Sequence, residues 1–345
     1  MPNMLLGKMN KLIIHFVGNK NNEDGVRFSC TETYFERIEE YFKRLIYNNF
    51  KSDELYCFHF LPNIELNPIY QFATKIFQDE TSFVEQSQNC TRYLYDKSTH
   101  PKIKEGEFYV VLFNDCIIDG ITTDAIGLFK SENKDTFLKV YPSGDGFEIV
   151  SEKGVNINKL DKGCLIFNIE KENGYLVAVV DNTNKGAEAQ YWMDDFLHVR
   201  PRKDEYYNTQ NILSLCRNFV TKEFSHQGDI SKADQVDFLN KSVQFFKEKE
   251  SFDMFEFVND VIEKPALIES FNNYKKDFQK DREIDLSDNF VISESAVKKQ
   301  ARSIKSIIKL DKNFHIYVHG HRELIEQGTD EKGRKFYKIY YSEES

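Results

Sequence analysis

The sequence predicts an α+β protein: an antiparallel β-meander packed with helices, followed by a mostly helical C-terminal domain that ends in a β-hairpin. Three observations predict it. Apolar residues recur at helical spacing in the N-terminal third, give way to dense aromatic and β-branched runs between 107 and 183, and return to helical spacing after about 230. The links between successive strand-like runs are too short for the crossovers that parallel strands need. With 30 Phe and 18 Tyr but only seven Pro in 345 residues, the chain has apolar material for more than one packed core, and its length suits two domains.

Near the start, Lys11 to Val17 reads as a strand and not as the apolar part of a signal peptide, because no small-residue cleavage pattern follows. TETYFERIEEYFKRLIYNNF (31–50) then places Phe35, Ile38, Phe42, Leu45 and Ile46 on one helical face with charges opposite. Pro68 opens a second helix through Phe77, and Ser82 with Glu85 has the capping-box pattern of a third, running to about Lys97. HPKIKEG (100–106) breaks the pattern.

The middle third reads as strands: EFYVVLFND (107–115), DAIGLFKSE (124–132), TFLKVYP (136–142), FEIVS (147–151), GCLIFNIEK (163–171) and GYLVAVVDNT (174–183). Turn-forming residues separate them, as in Ser143-Gly144-Asp145-Gly146. The expectation is a meander with helices on one face, closed by helices at Gln190–His198 and Asn208–Glu223. The polar stretch SHQGDISK (225–232) marks the boundary, dividing the chain into residues 1–225 and 226–345. Ser231 followed by Asp234 starts a helix to about Glu250; others run from Met254 to Glu263 and from Pro265 to about Asp281. Ser293 or Ser295 caps a last helix, and strands follow at Ile307–Val318 and Lys335–Tyr341.

Charge is unevenly spread. The chain carries a formal −10, yet Val297 to Tyr341 holds eleven Lys and Arg against five Asp and Glu, a net of +6 that leaves −16 for the rest. On a helix starting near Ser295, Lys298, Arg302 and Lys305 fall at i, i+4 and i+7, with Lys299 beside them and Lys309 beyond. These five are the candidate DNA-binding residues, since such a stripe can follow a phosphate backbone and release its counterions. The same residues also fit a solvated helix face, or pairing with the protein's own acidic helices. No helix-turn-helix pattern is present, so sequence-specific base reading is not expected.

Other chemistries find little support. The six cysteines contain no CxxC pair, which points to buried reduced thiols and away from zinc. Phosphate-binding loops, GxSxG and EF-hand patterns are missing, so no catalytic residue, cofactor or metal is expected. His315, His319 and His321 alternate, but Gly320 interrupts any strand that would align them. Glu132-Asn133-Lys134 has the E-x-K form of one class of metal-dependent nucleases, with Asp115, Asp119 and Asp124 upstream, but it reads as a hairpin turn. Trp192, Phe196 and Val199 have core spacing, and Asp194 and Asp195 suit the start of their helix. No run of about eighteen apolar residues exists, so no membrane partner is expected and the cytoplasm is the expected compartment.

Four stretches carry a family resemblance: STHPKIKEGEFYVVLFNDCIIDG (98–120), DAIGLFKSENKDTFLKVYPSGDGFEI (124–149), residues 158–211, and SAVKKQARSIKSIIKLDKNFHIYVHGHRELIEQGTDEKGRKFYKIY (295–340). They resemble a longer branch of the bacterial nucleoid-associated protein family. The resemblance implies residence on the nucleoid with DNA contacted directly or through a partner; it offers no catalytic signature. A net negative chain meets DNA only locally. Its acidic surfaces can alternatively serve an adaptor that binds a basic DNA-handling enzyme such as a topoisomerase or polymerase. The broad aromatic faces of helices 31–48 and 232–250 fit either a core or a homodimer seam.

Overall fold

The apolar runs at 107–131 and 162–181 form the middle of an antiparallel sheet of nine strands. The computed structural model describes residues 4–183, 190–223, 230–304 and 307–343. It divides into two compact units, Met1–Arg202 and Lys203–Ser345. The expected boundary between 225 and 226 lies outside the described residues, as do residues 184–189.

In chain order the first unit comprises β1 (Met4–Leu5), β2 (Lys8–Val17), β3 (Val26–Arg27), the helix α1 (Glu39–Asn49) and β4 (Tyr56–Phe58). The helices α2 (Pro68–Gln78) and α3 (Phe83–Lys97) come next. They are followed by β5 (Gly106–Ile118), β6 (Ile121–Ser131), β7 (Asp135–Ser143), β8 (Gly146–Gly154), β9 (Lys162–Phe167), β10 (Leu176–Asp181) and β11 (Val199–Pro201). The sheet runs β11-β4-β10-β9-β6-β5-β2-β3, with β1 also on β5.

Helices cover both faces of this sheet, not one as expected. Phe108, Val110 and Leu112 of β5 pack with α2, α3 and the buried Trp192, while Val111 and Phe113 pack with Phe42, Leu45 and Ile46 of α1. The reason was present in the runs themselves: VVLF, IGLF and CLIF are apolar at every position, as strands buried on both faces must be. The strands also depart from a simple meander. Cα partners pair β6 directly with β9, from Ala125↔Phe167 to Lys130↔Lys162. The intervening β7 and β8 pair with each other as a hairpin arm whose Leu138, Val140, Phe147 and Ile149 stand exposed.

Local starts follow side-chain chemistry. Asn67 accepts from the Ile69 and Tyr70 amides and sends Nδ2 to the Leu197 carbonyl at 2.9 Å, so a buried cap ties α2 to segment 190–197. Helix α1 begins at Glu39, and residues 31–38 lie outside it. The capping box expected at Ser82 does not form: Ser82 Oγ donates to the Asp79 carbonyl, and Asp79 caps the short 3₁₀ turn before α3. Trp192 is fully buried, with Nε1 donating to the Gly163 carbonyl at 3.3 Å. Four cysteines are buried, Cys57 is partly so, and Cys30 departs from the expectation by standing exposed.

The second unit comprises α4 (Glu205–Lys222), α5 (Lys232–Glu248), β12 (Ser251–Asp253), α6 (Met254–Phe257), α7 (Pro265–Asp281), β13 (Asn289–Val291) and α8 (Glu294–Ala301). Strands β14 (Ile307–Leu310), β15 (Phe314–Tyr317), β16 (Ile325–Thr329) and β17 (Lys335–Ile339) complete it. Its core is phenylalanine-rich: Phe219 meets Phe271 edge-on at 5.2 Å, and Phe246 stacks on Phe252 at 5.1 Å. The long strand expected at 307–318 folds back on itself, because Asp311 adopts φ 49° and turns the chain into the β14–β15 hairpin. A second hairpin, β16–β17, ends the unit as expected. Among the described residues no helix is long and apolar enough to cross a membrane.

Candidate nucleic-acid interface

Helix α5 starts at a complete capping box. Ser231 Oγ accepts from the Asp234 amide, and the Asp234 carboxylate accepts from the Ser231 amide at 2.9 Å. Burial raises the Asp234 pKa, but hydrogen bonds from Ser231 and the Arg322 guanidinium outweigh it and hold the carboxyl below its usual range. Arg322 reaches from the short turn just before the second hairpin, with Nε 2.8 Å from Asp234 Oδ1 and Nη2 3.2 Å from Ser231 Oγ. Ala233 and Val236 on α5 bury against Ile308, Val318 and Ile325 of the hairpins. Asn240 Nδ2 donates to the Val318 carbonyl at 2.8 Å. The hairpins are therefore seated on α5 by an apolar patch rimmed with fixed polar contacts.

Helix α8 is short, eight residues, capped by Ser293 and anchored through the buried Ala296 and Val297. Lys298 and Lys299 project exposed from its last turn, where a helix C-terminus favours cations. Lys298 pairs with Glu294 at 3.2 Å, both side chains well exposed, and Lys299 Nζ lies 5.4 Å from the Tyr206 ring centre. The helix ends at Ala301. Arg302 is its C-cap, so the i, i+4, i+7 stripe is not one helical face. Arg302 is exposed; Lys305 lies outside the described residues.

Lys309 sits on β14 opposite His315. There the fold brings it to an open groove of about 800 Å³ between the two hairpins and the start of α5, shared with Lys232 and Lys335. Sequence reasoning missed Lys232, which has no other cation near it in the sequence; its only signal was the capping box that fixes it at the first position of α5.

The other sequence candidates separate. Glu132 and Lys134 lie at one end of the β5–β6 hairpin, Asp115, Asp119 and Asp124 toward the other, where Ile118 pairs with Ile121. At about 3.3 Å per residue, the eight steps from Asp124 to Glu132 keep these carboxylates apart. Glu132 Oε1 is taken by the buried Lys130 at 3.0 Å and by the Tyr191 hydroxyl at 2.9 Å, and Lys134 pairs with Glu107. Lys162 is likewise buried and used, 2.9 Å from Asp181 Oδ1 and 2.6 Å from Thr183 Oγ. This cluster closes one end of the sheet and uses its lysines internally, though Glu107 Oε2 is buried without a partner. His315 is on β15, which stops at Tyr317, and His321 binds Glu323 at 2.8 Å, so the three histidines share no strand face. Among the described residues no group of three or more His, Cys, Asp or Glu is placed to hold a metal.

A family model described as nucleoid-associated protein YejK matches residues 13–334. No curated protein matches the chain.

Proposed function

The chain belongs to the nucleoid-associated protein family, and from that premise we propose that it binds duplex DNA without sequence preference through the basic surface of its second unit. Lys298, Lys299, Arg302 and Lys309 carry the contact, joined by Lys305. The observation that carries the reading is that all four described cations of this set are exposed in a segment of net +6, within a chain of net −10. The Lys298–Glu294 pair costs little to exchange for a phosphate, because an exposed i,i+4 pair contributes only about 0.3–0.5 kcal/mol. Lysines reaching phosphates position a protein on DNA without reading bases, which accounts for the lack of sequence preference. The fit to a nucleoid location is direct, and a net negative remainder keeps the contact local and salt-sensitive.

The test is binding to a duplex across a salt series, for the natural chain and a variant with all five residues changed to Gln. A steep negative slope of affinity with salt that flattens by up to about one per removed contact supports the reading. Equal slopes and affinities in the two proteins overturn it. A protein partner that stays bound after nuclease treatment of a lysate, with no DNA affinity in the purified chain, assigns the adaptor role instead.

A further inference from the structure

We propose that the groove between the two C-terminal hairpins and the start of α5 is a binding site for a single strand of nucleic acid, held by base stacking on Phe314 and Phe336. The site extends the DNA-binding reading above and rests on it for the class of ligand, but apart from Lys309 it uses different residues.

The groove joins the two features that single-strand sites combine: cations that track a backbone and aromatic faces for unpaired bases. Lys232, Lys309 and Lys335 line it, against one carboxylate, Asp311. Lys232 Nζ reaches the uncharged Gln235 amide oxygen at 3.0 Å. Among the described residues Lys309 and Lys335 form no ion pair, so their charge is available to a ligand. The two rings come from different hairpins, Phe314 from the first residue of β15 and Phe336 from β17, and they are 64% and 44% exposed. Neither ring packs against another aromatic side chain among the described residues. These two phenylalanines stand exposed at the rim of a basic groove.

The Phe336 ring is also held in place. Its cross-strand partner is Gly328, and a Cβ there would come within 2.6 Å of the ring's Cζ. Lacking that atom, Gly328 lets the ring lie against the hairpin backbone and turn its other face outward. A duplex keeps its base faces inside its own stack, so exposed rings offer it nothing that phosphate contacts do not. An unpaired strand presents both a base face and a phosphate at each step. The groove's volume falls within the ordinary range of about 300–1,000 Å³ for small-ligand sites, which suits a few unstacked nucleotides and not a double helix.

The experiment uses the full chain and fluorescence anisotropy with a labelled oligothymidylate of about 15 nucleotides, beside a duplex of equal length. The variants are Phe314→Ala with Phe336→Ala, the same pair changed to Tyr, Gly328→Val, and Lys298→Gln with Lys299→Gln and Arg302→Gln. The expected result is that the Ala pair weakens single-strand binding by about fivefold or more per ring while changing duplex binding less than twofold. Tyr at both positions restores the single-strand affinity, and Gly328→Val weakens it by displacing the ring. The α8 variant, in contrast, lowers duplex affinity and leaves the sensitivity to the rings intact. Single-strand affinity unchanged in the Ala pair overturns the proposal, as does an equal loss for strand and duplex. Duplex binding that ignores the α8 variant overturns the earlier reading and leaves this one standing.

Discussion

The Arg322 guanidinium lies 2.8 Å from Asp234 Oδ1 and so fastens the second C-terminal hairpin to the capping box of α5. The same carboxylate receives the Ser231 amide and hydroxyl, which makes one side chain serve both the helix start and the hairpin.

Loss of this contact is expected to loosen the hairpin locally. Arg322→Ala removes charge-assisted hydrogen bonds, costing about 1–3 kcal/mol. Amide hydrogen exchange should accelerate in Ile325–Thr329 and Lys335–Ile339, with β5 and β6 unaffected. Because Asp234 has a depressed folded pKa, its contribution is present above the unfolded value of 3.8 and fades as pH falls through the folded one. Unaltered exchange in the hairpin would count against the fastening role.

Lys130 and Glu132 form a pair with both side chains almost wholly buried, 3.0 Å apart. Burial depresses the Lys130 pKa, and the Glu132 charge opposes that shift. Lys130→Met strands the carboxylate and should destabilise the first unit by about 3–5 kcal/mol in urea melts. Changing Glu132→Gln as well should recover most of the loss. No recovery in the double variant would assign the cost to packing alone.

His15 sets a pH dependence. It is buried, accepts from the Ser29 amide at Nδ1, and lies 3.0 Å from Ser87 Oγ, an arrangement that holds the ring neutral. Burial lowers its pKa from 6.5 to about 4. The unfolded chain therefore takes up the proton first, and stability falls as pH drops from 6.5 toward 4, by on the order of 3 kcal/mol. Melting curves between pH 7 and pH 4.5 should show this slope. His15→Gln should shrink it without abolishing it, since His59 and His198 are shifted the same way. A profile identical in the variant would remove His15 from the explanation.

The β7–β8 arm should be neutral to the stability of the chain that bears it. Phe147 is 78% exposed, while Phe129 in β6 is 1% exposed. Phe147→Ser is expected to shift stability within about 0.5 kcal/mol, and Phe129→Ala to cost about 3–5 kcal/mol. A large effect at Phe147, read from the denaturation midpoint, would mean that the arm is covered in solution.

Much of the fold was legible because its signals are local. Strand runs at 107–115 and 163–171 announce themselves by composition, and Ser231 with Asp234 forms the capping box their spacing implies. Ser82 failed as a cap because Asp79, three residues earlier, competes for the same turn. The basic set was legible as charge but not as a surface. The helix stops at Ala301, so Lys298 and Lys309 stand on different elements, and Lys309 finds its neighbours Lys232 and Lys335 only through folding.

By itself the sequence determined the α+β class, the order of the longer helices and of the strands between 107 and 183, and the concentration of positive charge near the C-terminal end. Periodicity, turn chemistry and net charge are properties of neighbouring residues, and no folding is needed to read them. Tertiary structure alone decided two things: that β6 pairs with β9 across an outlying hairpin, and that Phe314 and Phe336 flank one basic groove. Each joins residues distant along the chain. Which distant partners meet depends on how the apolar faces of all the elements are buried together, and no single stretch encodes that.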